Sequence, residues 1–352
     1  MSPDDRATAA AGPAGPGASP GPPRSAPPPE IVARAEERAE ARARRDWPRA
    51  DALKATIEAA GWKIEDAGRG WSLFPAVRPD VVVDGIERYG SARSVPSVLG
   101  DPPAASATVA VVAEGDPDAF ERLVRSLRAH APIGTHVVVV GNDPDPAWDA
   151  RLASAAEGHG PEGPDVEVVR TSVPLGAAAA TNAALRRALG AVVVLAATTV
   201  EMTGDAISPL VAALDDPTLA VAGAFGTAAA ELPHFADTEA ADPDAIDGAW
   251  LAFRREDYVR LGPLDERFLV PRFLDAWWSL SLRAGDDPDA APRGAIRLDL
   301  PLVRHAPRPG PERRPGAAEP SVSEARADRL ARRNGYRVLD RFRDRPDLLA
   351  DR

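Results

Sequence analysis

Short apolar runs alternate with longer amphipathic stretches through the middle of the chain. The runs TVAVV, HVVVV, VEVV, AVVVL and LAVAGAF are separated by helix-length segments such as PDAFERLVRSLRAH. Strands that are apolar on both faces and joined by helices are typical of a mostly parallel sheet with helices on each side. The pattern therefore predicts an α/β domain over residues 105–310.

The segment before this domain has two other patterns. Residues 1–29 are rich in Pro, Gly and Ala and have little apolar surface to offset the entropy of ordering, so we expect a disordered tail. Residues 30–75 contain two helical stretches broken at Trp47-Pro48, followed by two alternating runs. They predict a small helical hairpin with a β-hairpin.

Two further segments lie beside the α/β domain. Residues 76–104 are punctuated by Pro and Gly and predict a connector with a short strand at 81–83. Residues 311–352 contain a basic helix, in which we expect Tyr336, Leu339 and Phe342 on one side. Either this helix packs back on the large domain, or it contacts RNA or anionic lipid.

Composition narrows the class of protein. The 352 residues are 44% hydrophobic, include no Cys and carry a formal net charge of -11, which argues against broad nucleic-acid binding. Without Cys there is no disulfide, thiolate zinc site or cysteine nucleophile. The only lysines, Lys54 and Lys63, precede the α/β domain, so a Schiff-base or P-loop lysine is excluded there. Without a membrane-length apolar run or a signal-peptide pattern, we expect a cytoplasmic protein that lacks a transmembrane segment.

Small polar residues follow the first four predicted strands. They are Glu114, then Gly141, Asn142 and Asp143, then Thr171 and Ser172, then Thr198 and Thr199. Ligands of open α/β sheets lie at such strand ends, and a helix N-terminus expected in VPLGAAAATN adds backbone N–H groups suited to phosphate. We therefore expect a nucleotide-binding crevice. A dinucleotide dehydrogenase is the poorer interpretation, because no GxGxxG follows the first strand.

Three segments together resemble family 2 inverting glycosyltransferases. They are FERLVRSLRAHAPIGTHVVVVGN, VPLGAAAATNAALRRALGAVVVL and DGAWLAFRREDYVRLGPLDERFLVPRFLDAWWSLSLRAGD. The resemblance implies a GT-A fold, the nucleotide-diphospho-sugar transferase type of α/β domain. It also implies inverting transfer of a sugar from a nucleotide-sugar donor to a glycan or lipid-linked acceptor.

The resemblance also implies candidate site residues. Asp275 falls where the family keeps its catalytic base, a carboxylate that takes the proton of the acceptor hydroxyl. An acid at this place is equally an ordinary helix N-cap. His305 falls near a histidine that some relatives direct at the donor diphosphate or its metal, and a structural histidine is the other interpretation. The donor-binding residues expected are Glu114, Asn142, Asp143, Asn182, Thr198, Thr199 and His305.

The chain departs from the family pattern where relatives hold the donor metal. Relatives end the fourth strand with an Asp-containing motif for Mg²⁺ or Mn²⁺, whereas this chain has neutral residues from Ala196 to Thr199. Leu274 and Trp277 also replace acids around Asp275. We therefore predict no carboxylate metal site and no certain cofactor. The arginines available in its place are Arg272, Arg304 and Arg308.

The lost acids leave a rival interpretation open for the α/β domain. In that interpretation it is a catalytically inactive GT-A scaffold that binds a glycan, a nucleotide or a partner enzyme. Asp275 and Asn182 favour the enzyme, because both positions keep the residue of the family pattern.

A second resemblance concerns the N-terminal module. The segment ARARRDWPRADALKATIEAAGWKIEDAGRGWSL looks like the C-terminal tail of cysteinyl-tRNA synthetases, a part that lies near the tRNA anticodon. The resemblance implies a weak RNA contact through residues 30–75. Nothing else in the chain resembles that family, so a small packing or tethering module is the other interpretation.

Overall fold

The computed structural model describes residues 27–67, 70–76, 78–143, 145–157, 163–287, 290–306 and 324–349. The chain divides into two compact units, Met1–Val77 and Arg78–Arg352. The tail before residue 27, predicted to be disordered, and Arg308 lie outside the described residues. In the ranges above, no helix is both long and apolar enough to cross a membrane.

The smaller unit contains the elements predicted for residues 30–75. They are α1 (Pro29–Ala43), α2 (Trp47–Ala59), β1 (Trp62–Ala67) and β2 (Gly70–Pro75). The Asp46 carboxylate accepts a hydrogen bond from the Arg49 N–H and caps α2, and Gly61, at a φ of 79°, follows its end. The helices and the hairpin enclose a small core of Ile31, Ala35, Ile57 and Ile64.

The larger unit is built on a seven-stranded sheet. In spatial order its strands are β15 (Gly294–Arg297), β10 (Leu219–Gly223), β14 (Trp250–Arg254), β8 (Gly190–Ala196), β5 (Ala105–Ala113), β6 (His136–Gly141) and β7 (Asp165–Arg170). The four strands from β8 to β7 are parallel, and β14 runs antiparallel between β8 and β10. This sheet confirms the predicted mostly parallel α/β fold.

Helices flank this sheet and supply its two cores. They are α3 (Pro117–His130), α4 (Pro146–Ala156), α5 (Ala177–Leu185), α6 (Ser208–Ala213), α7 (Arg255–Leu261), α8 (Leu274–Ala284) and α9 (Glu324–Phe342). One core contains Phe120 and Trp148, and the other contains Trp278 and Phe342. In β6, Val137 and Val139 belong to the first core, and Val138 and Val140 to the second. Because successive strand residues point to opposite faces, an uninterrupted apolar run is what two cores require.

Three small sheets complete the larger unit. They are β3 (Val81–Val83) with β4 (Ile86–Arg88), β9 (Val200–Met202) with β16 (Leu302–Arg304), and β11 (Gly226–Ala229) between β12 (Phe235–Thr238) and β13 (Ala245–Ile246). The pairing of β16 with β9 brings the end of this part of the chain to the turn that follows β8.

The segment that the sequence predicts as a connector packs on the larger unit from residue 78 onward. Its short strand at 81–83 is present. Arg88 forms an ion pair of 2.7 Å with Asp149 of α4, and the Tyr89 N–H donates to the Arg170 carbonyl at 2.8 Å. These contacts add the segment to the edge of the sheet next to β7.

The C-terminal helix is present, and the prediction for its side is confirmed only in part. Of the three residues expected together, Phe342 is buried and Leu339 is half-buried, but Tyr336 is exposed. Tyr336 is 71% exposed, whereas Leu330, Val338 and Phe342 are buried. The buried stripe also passes through Asn334, which is fully buried. Hydropathy alone does not identify Asn334 as part of the buried stripe, because an asparagine is buried only where specific partners satisfy its amide.

Candidate active site at the strand ends

The ends of β5 and β6 are joined by an amide. The Asn142 Nδ2 donates to the Glu114 carboxylate at 2.7 Å and to the Leu175 carbonyl at 3.0 Å, and its Oδ1 accepts from the Leu175 N–H. Loss of solvent around the carboxyl group and the nearby charge of Asp143 raise the pKa of Glu114. The structure therefore brings together the first three residues predicted to bind the donor.

The two hydroxyl groups at the end of β7 form hydrogen bonds within the protein. The Thr171 hydroxyl donates to the Gly141 carbonyl at 3.1 Å, and the Ser172 hydroxyl donates to the Pro79 carbonyl at 3.0 Å. Both residues are buried. These two hydroxyls, which the sequence predicts in the crevice, tie β7 to its neighbours instead.

The helix N-terminus expected to hold phosphate is also occupied by the protein. The N–H groups of Ala177 and Ala178, at the start of α5, donate to the carbonyls of Leu269 and Phe268 at 3.2 and 3.1 Å. A Cβ on Gly176 would lie 2.7 Å from the Leu269 side chain, so the two segments are in close contact. These two N–H groups, which the sequence predicts to be free for phosphate, instead have acceptors in a loop of the protein.

Asn182 has a full set of partners within the fold. Its Nδ2 donates to the Leu264 carbonyl at 2.9 Å, and its Oδ1 accepts from the Leu264 N–H and the Tyr258 hydroxyl. The residue is 2% exposed. Its amide therefore fastens α5 to the loop after α7, and a direct donor contact remains only a prediction.

Thr198 and Thr199 form the turn after β8, and both are half-buried. The Ala197 N–H donates to the Ala249 carbonyl at 3.0 Å, and the His305 N–H donates to the Thr199 carbonyl at 2.8 Å. Among the residues that the structure describes, neither threonine hydroxyl has a hydrogen-bond partner. The turn is thus fixed through its backbone while its side chains remain available.

His305 and Glu201 are paired with each other. The His305 Nε2 lies 2.7 Å from a Glu201 carboxylate oxygen, and the Arg122 Nε lies 3.8 Å from the same carboxylate. Backbone pairing of β16 with β9 sets this contact, since Val303 is opposite Glu201. The ring nitrogen that the sequence directs toward a donor or metal is engaged here by a carboxylate, and donor contact by His305 stays a prediction.

Asp275 lies in the first turn of α8 beside the start of β14. Its carboxylate accepts hydrogen bonds from the Gly248 N–H at 3.1 Å and from the Ala276 N–H at 2.8 Å. The N-cap of α8 is Phe273, which has no side-chain cap, so Asp275 is not the helix cap. A Cβ on Gly248 would lie 3.2 Å from the Asp275 Cβ, which explains the small residue at this contact.

Asp247 is the neighbour that sequence reasoning missed. Its carboxylate accepts from the Ala249 N–H at 2.7 Å and from the Arg304 guanidinium at 3.1 Å. Burial of Asp275, together with the nearby charge of Asp247, raises the pKa of Asp275 to about 6. The two carboxylates form a pair at the edge of the sheet, next to the turn that carries Thr198.

One arginine lies at this pair. Arg304 stacks its guanidinium 5.1 Å from the ring centroid of Phe225, and 43% of its side chain is exposed. Arg272 also stacks on an aromatic ring, that of Phe273, at 5.3 Å. Of the three predicted arginines, the structure places Arg304 in contact with the carboxylate pair.

The residues at the β8 turn do not fit a divalent cation. Mg²⁺ and Mn²⁺ prefer carboxylate oxygens, and the turn from Ala196 to Thr199 supplies none. The acids on either side, Glu201 and Asp247, are paired with His305 and Arg304. In the part of the chain that the structure describes, no group of three or more His, Cys, Asp or Glu residues forms a cation site.

Comparison with known proteins finds one matching family model and several solved structures of similar fold. Residues 108–271, just under half of the chain, match the model of glycosyl transferase family 2. The crystal structure of GalNAc-T7 with UDP, GalNAc and Mn²⁺ is similar at a TM-score of 0.52 and 16% identity, over 68% of this chain and 49% of that chain. No curated protein sequence matches the chain.

Two other solved structures are more distant in shape. One is the mannosyltransferase PcManGT from Pyrobaculum calidifontis in complex with GDP-Man and Mn²⁺, at a TM-score of 0.45 and 19% identity over 62% of each chain. The other is S. aureus TarS, at 0.42 and 12% over 57% of this chain and 37% of that one. The chain therefore spans less than two thirds of each of the three proteins.

The family match and the seven-stranded sheet agree on one architecture. The match begins within β5 and ends just before α8, so it includes the strand ends that carry Glu114, Asn142 and Thr198. The larger unit has a GT-A fold, and the match of residues 108–271 to the family 2 model supports a role in glycosyl transfer.

Proposed function

We propose that the larger unit transfers a sugar from a nucleotide-sugar donor to an acceptor hydroxyl with inversion. The observation that carries the proposal is the pair of Asp247 and Asp275 beside the β8 turn. Asp275 takes the acceptor proton while the acceptor oxygen bonds to the anomeric carbon. The bond from that carbon to the diphosphate breaks, and the nucleoside diphosphate leaves with the bonding electrons.

The pKa of Asp275 suits this role. A carboxyl group with a pKa of about 6 is mostly ionised at pH 7, and it binds a proton more firmly than an ordinary aspartate does. The two backbone N–H groups that it accepts from hold the carboxylate in one orientation. Orientation of the base toward the acceptor oxygen supports transfer as much as its basicity does.

The donor lies along the sheet edge in this proposal. The nucleoside lies beside Glu114, Asn142 and Asp143, and the diphosphate beside the free hydroxyls of Thr198 and Thr199. Asn142 supports this arrangement, because its amide holds Glu114 and the loop before α5 in fixed positions. Sheets of this kind bind nucleotides across the ends of their parallel strands.

Arginine meets the charge of the leaving diphosphate in place of a metal ion. Arg304 supports this part of the proposal, because its guanidinium is partly exposed and is held by both Asp247 and Phe225. A guanidinium can donate two parallel hydrogen bonds to diphosphate oxygens. The GalNAc-T7 structure holds Mn²⁺ with its UDP, whereas the β8 turn of this chain has no carboxylate for such an ion.

A non-catalytic binding domain is the second candidate. It is favoured by the neutral β8 turn and by the protein acceptors at the start of α5, which leave fewer groups for a diphosphate. In this candidate the strand ends bind a glycan, a nucleotide or a partner enzyme, and Asp275 has no role in proton transfer.

A screen of nucleotide-sugars separates the two candidates. Uridine, guanosine and thymidine diphosphate sugars are each added to the full chain, and melting temperature and release of nucleoside diphosphate are measured. Ligand at 100 times its Kd stabilises a protein by roughly 2.7 kcal/mol, so binding raises the melting temperature. Binding with acceptor-dependent release supports the transferase. Binding without release across a broad acceptor panel supports a scaffold that binds nucleotide. No binding contradicts the transferase and favours a scaffold that binds a glycan or a partner enzyme.

We propose that the smaller unit is a separable packing or tethering module, with weak RNA contact as the other candidate. Its own core of Ile31, Ala35, Ile57 and Ile64 supports independence. Deletion of residues 1–77 is expected to leave a cooperative melt and unchanged nucleotide binding in residues 78–352. Loss of that melt would contradict independence, and a mobility shift of tRNA by the full chain but not by the deletion would favour RNA contact.

A further inference from the structure

The turn that precedes Asp275 has an unusual backbone. Phe273, the residue before α8, adopts a φ of 70° in the left-handed region. Few residues with a side chain adopt this conformation, because their Cβ comes close to the backbone. The fold must therefore supply contacts that hold Phe273 in place.

An asparagine of α9 supplies two of these contacts. The Asn334 Nδ2 donates to the Val270 carbonyl at 3.1 Å and to the Arg272 carbonyl at 3.0 Å. Its Oδ1 accepts from the Arg337 guanidinium at 3.0 Å. Asn334 is fully buried, so these bonds are shielded from water and costly to lose.

The rest of α9 packs closely on the same turn. A Cβ on Gly335 would lie 3.2 Å from Pro233 and 3.4 Å from the Phe273 ring, so the helix backbone lies against that ring. Nearly two helical turns further on, the Arg341 guanidinium stacks 5.2 Å from the Trp277 ring in α8. Helix α9 therefore covers both the turn and the start of the helix that carries Asp275.

We propose that Asn334 is a positioning residue for Asp275, an inference that rests on the proposed role of Asp275 as the base. By holding the carbonyls on both sides of Pro271, the amide fixes the path of the chain into Phe273. That path sets the first turn of α8, and hence the approach of the Asp275 carboxylate to the Gly248 N–H. Neither the family pattern nor the hydropathy of α9 points to this asparagine.

The test compares Asn334→Ala with Val338→Ala in the full chain. Val338 is fully buried on the same side of α9, one helical turn later, so its truncation weakens helix packing and leaves the turn at Arg272 bonded. In Asn334→Ala we expect kcat for sugar transfer to fall at least about tenfold, with the donor KM within about twofold. In Val338→Ala we expect wild-type kcat. Equal kcat in the two variants would overturn the proposal.

Two readouts do not depend on activity. Hydrogen exchange of residues 272–276 is expected to speed up in Asn334→Ala and to stay unchanged in Val338→Ala. The pKa of the Asp275 carboxyl, followed by carbon NMR and assigned with Asp275→Asn, is expected to fall from about 6 toward its ordinary value only in Asn334→Ala. The charge of Asp247, which acts on this carboxyl, and the contact of Asp247 with Arg304 are unaltered by either substitution in α9, so they do not affect the comparison.

The outcomes separate this inference from the proposed function. Wild-type transfer by Asp275→Asn would refute the catalytic assignment alone. Unchanged exchange and an unchanged Asp275 pKa in Asn334→Ala would refute the positioning role alone. If Asn334→Ala does not fold, the milder Asn334→Ser variant replaces it, because serine keeps one hydrogen-bond donor. We then expect the same changes in exchange and in the Asp275 pKa, but smaller ones.

Discussion

Two neighbouring turns at the edge of the sheet have opposite chemistry. The turn after β8 has the neutral side chains of Thr198 and Thr199, and the turn before β14 has the acid Asp247, next to Asp275. The two turns are close because β8 and β14 pair side by side, with Ala196 opposite Trp250. The turn proposed to meet the donor diphosphate thus lacks acids, whereas the side proposed to meet the acceptor has two.

The difference shows that the side chains on one turn of a site can differ while those on the neighbouring turn stay the same. Each turn is fixed by backbone hydrogen bonds, such as those from Ala197 to Ala249 and from His305 to Thr199. Side chains on such a turn can change without moving the neighbouring turn, because the sheet holds both. Backbone hydrogen bonds from Gly248 and Ala249 hold the two carboxylates independently of the side chains of the β8 turn.

Removal of the Asp275 charge is the strongest test of this contrast. In Asp275→Asn we expect turnover to fall roughly 10²-fold or more, since general-base catalysis typically contributes 10² to 10⁴. Donor affinity is expected to stay nearly unchanged, because the base acts on the acceptor. Steady-state kinetics and calorimetry measure the two effects.

The matched control for this substitution is Asp215→Asn. Asp215 is exposed and follows α6, and its substitution by Asn makes the same change in charge and shape as Asp275→Asn does. Its turnover is expected to equal that of the wild type. Wild-type turnover in Asp275→Asn as well would remove Asp275 from the mechanism and favour the scaffold.

A smaller effect is expected on the donor side. Arg304→Gln is expected to weaken nucleoside diphosphate binding about tenfold, or ~1.4 kcal/mol, because a charge-assisted contact to the diphosphate is lost. The same change removes the partner of Asp247, so the pKa of Asp275 is expected to rise further. Arg125→Gln, at an exposed position on α3, is the control. Equal affinity in the two variants would exclude Arg304 from the donor site.

The sheet and the helices could be predicted because their cause is local. Buried parallel strands are uninterrupted apolar runs, and residues 136–141 show the pattern that two cores require. The two ends of α2 are equally local, since Asp46 caps the start of the helix and Gly61 follows its end. Both kinds of signal lie within a few residues of the structure that they produce.

The partner of Asp275 could not be predicted because its cause is distant. Asp247 faces the site only because β14 runs antiparallel to β8, which brings the start of that strand to the edge where β8 ends. Strand direction is not written in a local pattern. An Asp-Gly pair directly before an apolar run is the one signal in the sequence, and alone it indicates no more than a turn.

The buried side of α9 was predicted only in part for a related reason. Tyr336 is apolar by composition and exposed in the structure, whereas Asn334 is polar and buried. The carbonyls that satisfy Asn334 come from residues 270 and 272, which are remote in sequence. Hydropathy describes how strongly a side chain prefers water, and it carries no information on hydrogen-bond partners that are remote in sequence.

Asp275 should contribute to the pH dependence of the stability of the protein. The pKa of Asp275 is raised to about 6 in the folded chain, so the folded state binds this proton more tightly than the unfolded chain does. Stability from this group is fully present below the ordinary pKa of 3.8 and is lost as the pH rises through about 6. We expect a loss of at most about 3 kcal/mol over that window, at 1.36 kcal/mol for each unit of pKa difference.

Thermal melts between pH 4 and pH 8 check this expectation. Relative to wild type, Asp275→Asn is expected to gain stability as the pH rises, because it has no charge to bury. Asp215→Asn is expected to follow the wild-type curve. Parallel curves for wild type and Asp275→Asn would show that the Asp275 carboxyl is not perturbed, and the contrast between the two turns would then rest on geometry alone.

The smallest effect is expected from metal at the neutral turn. Because the turn has no carboxylate and the flanking Glu201 is paired with His305, we expect Mg²⁺ or Mn²⁺ to change nucleoside diphosphate affinity by less than about twofold. Calorimetric titration with and without Mn²⁺ measures this change. A tightening of about tenfold, or ~1.4 kcal/mol, would contradict the prediction and mean that an acid rebuilds the site. Glu201→Gln then identifies that acid, since the tightening disappears only if Glu201 leaves His305 to bind the ion.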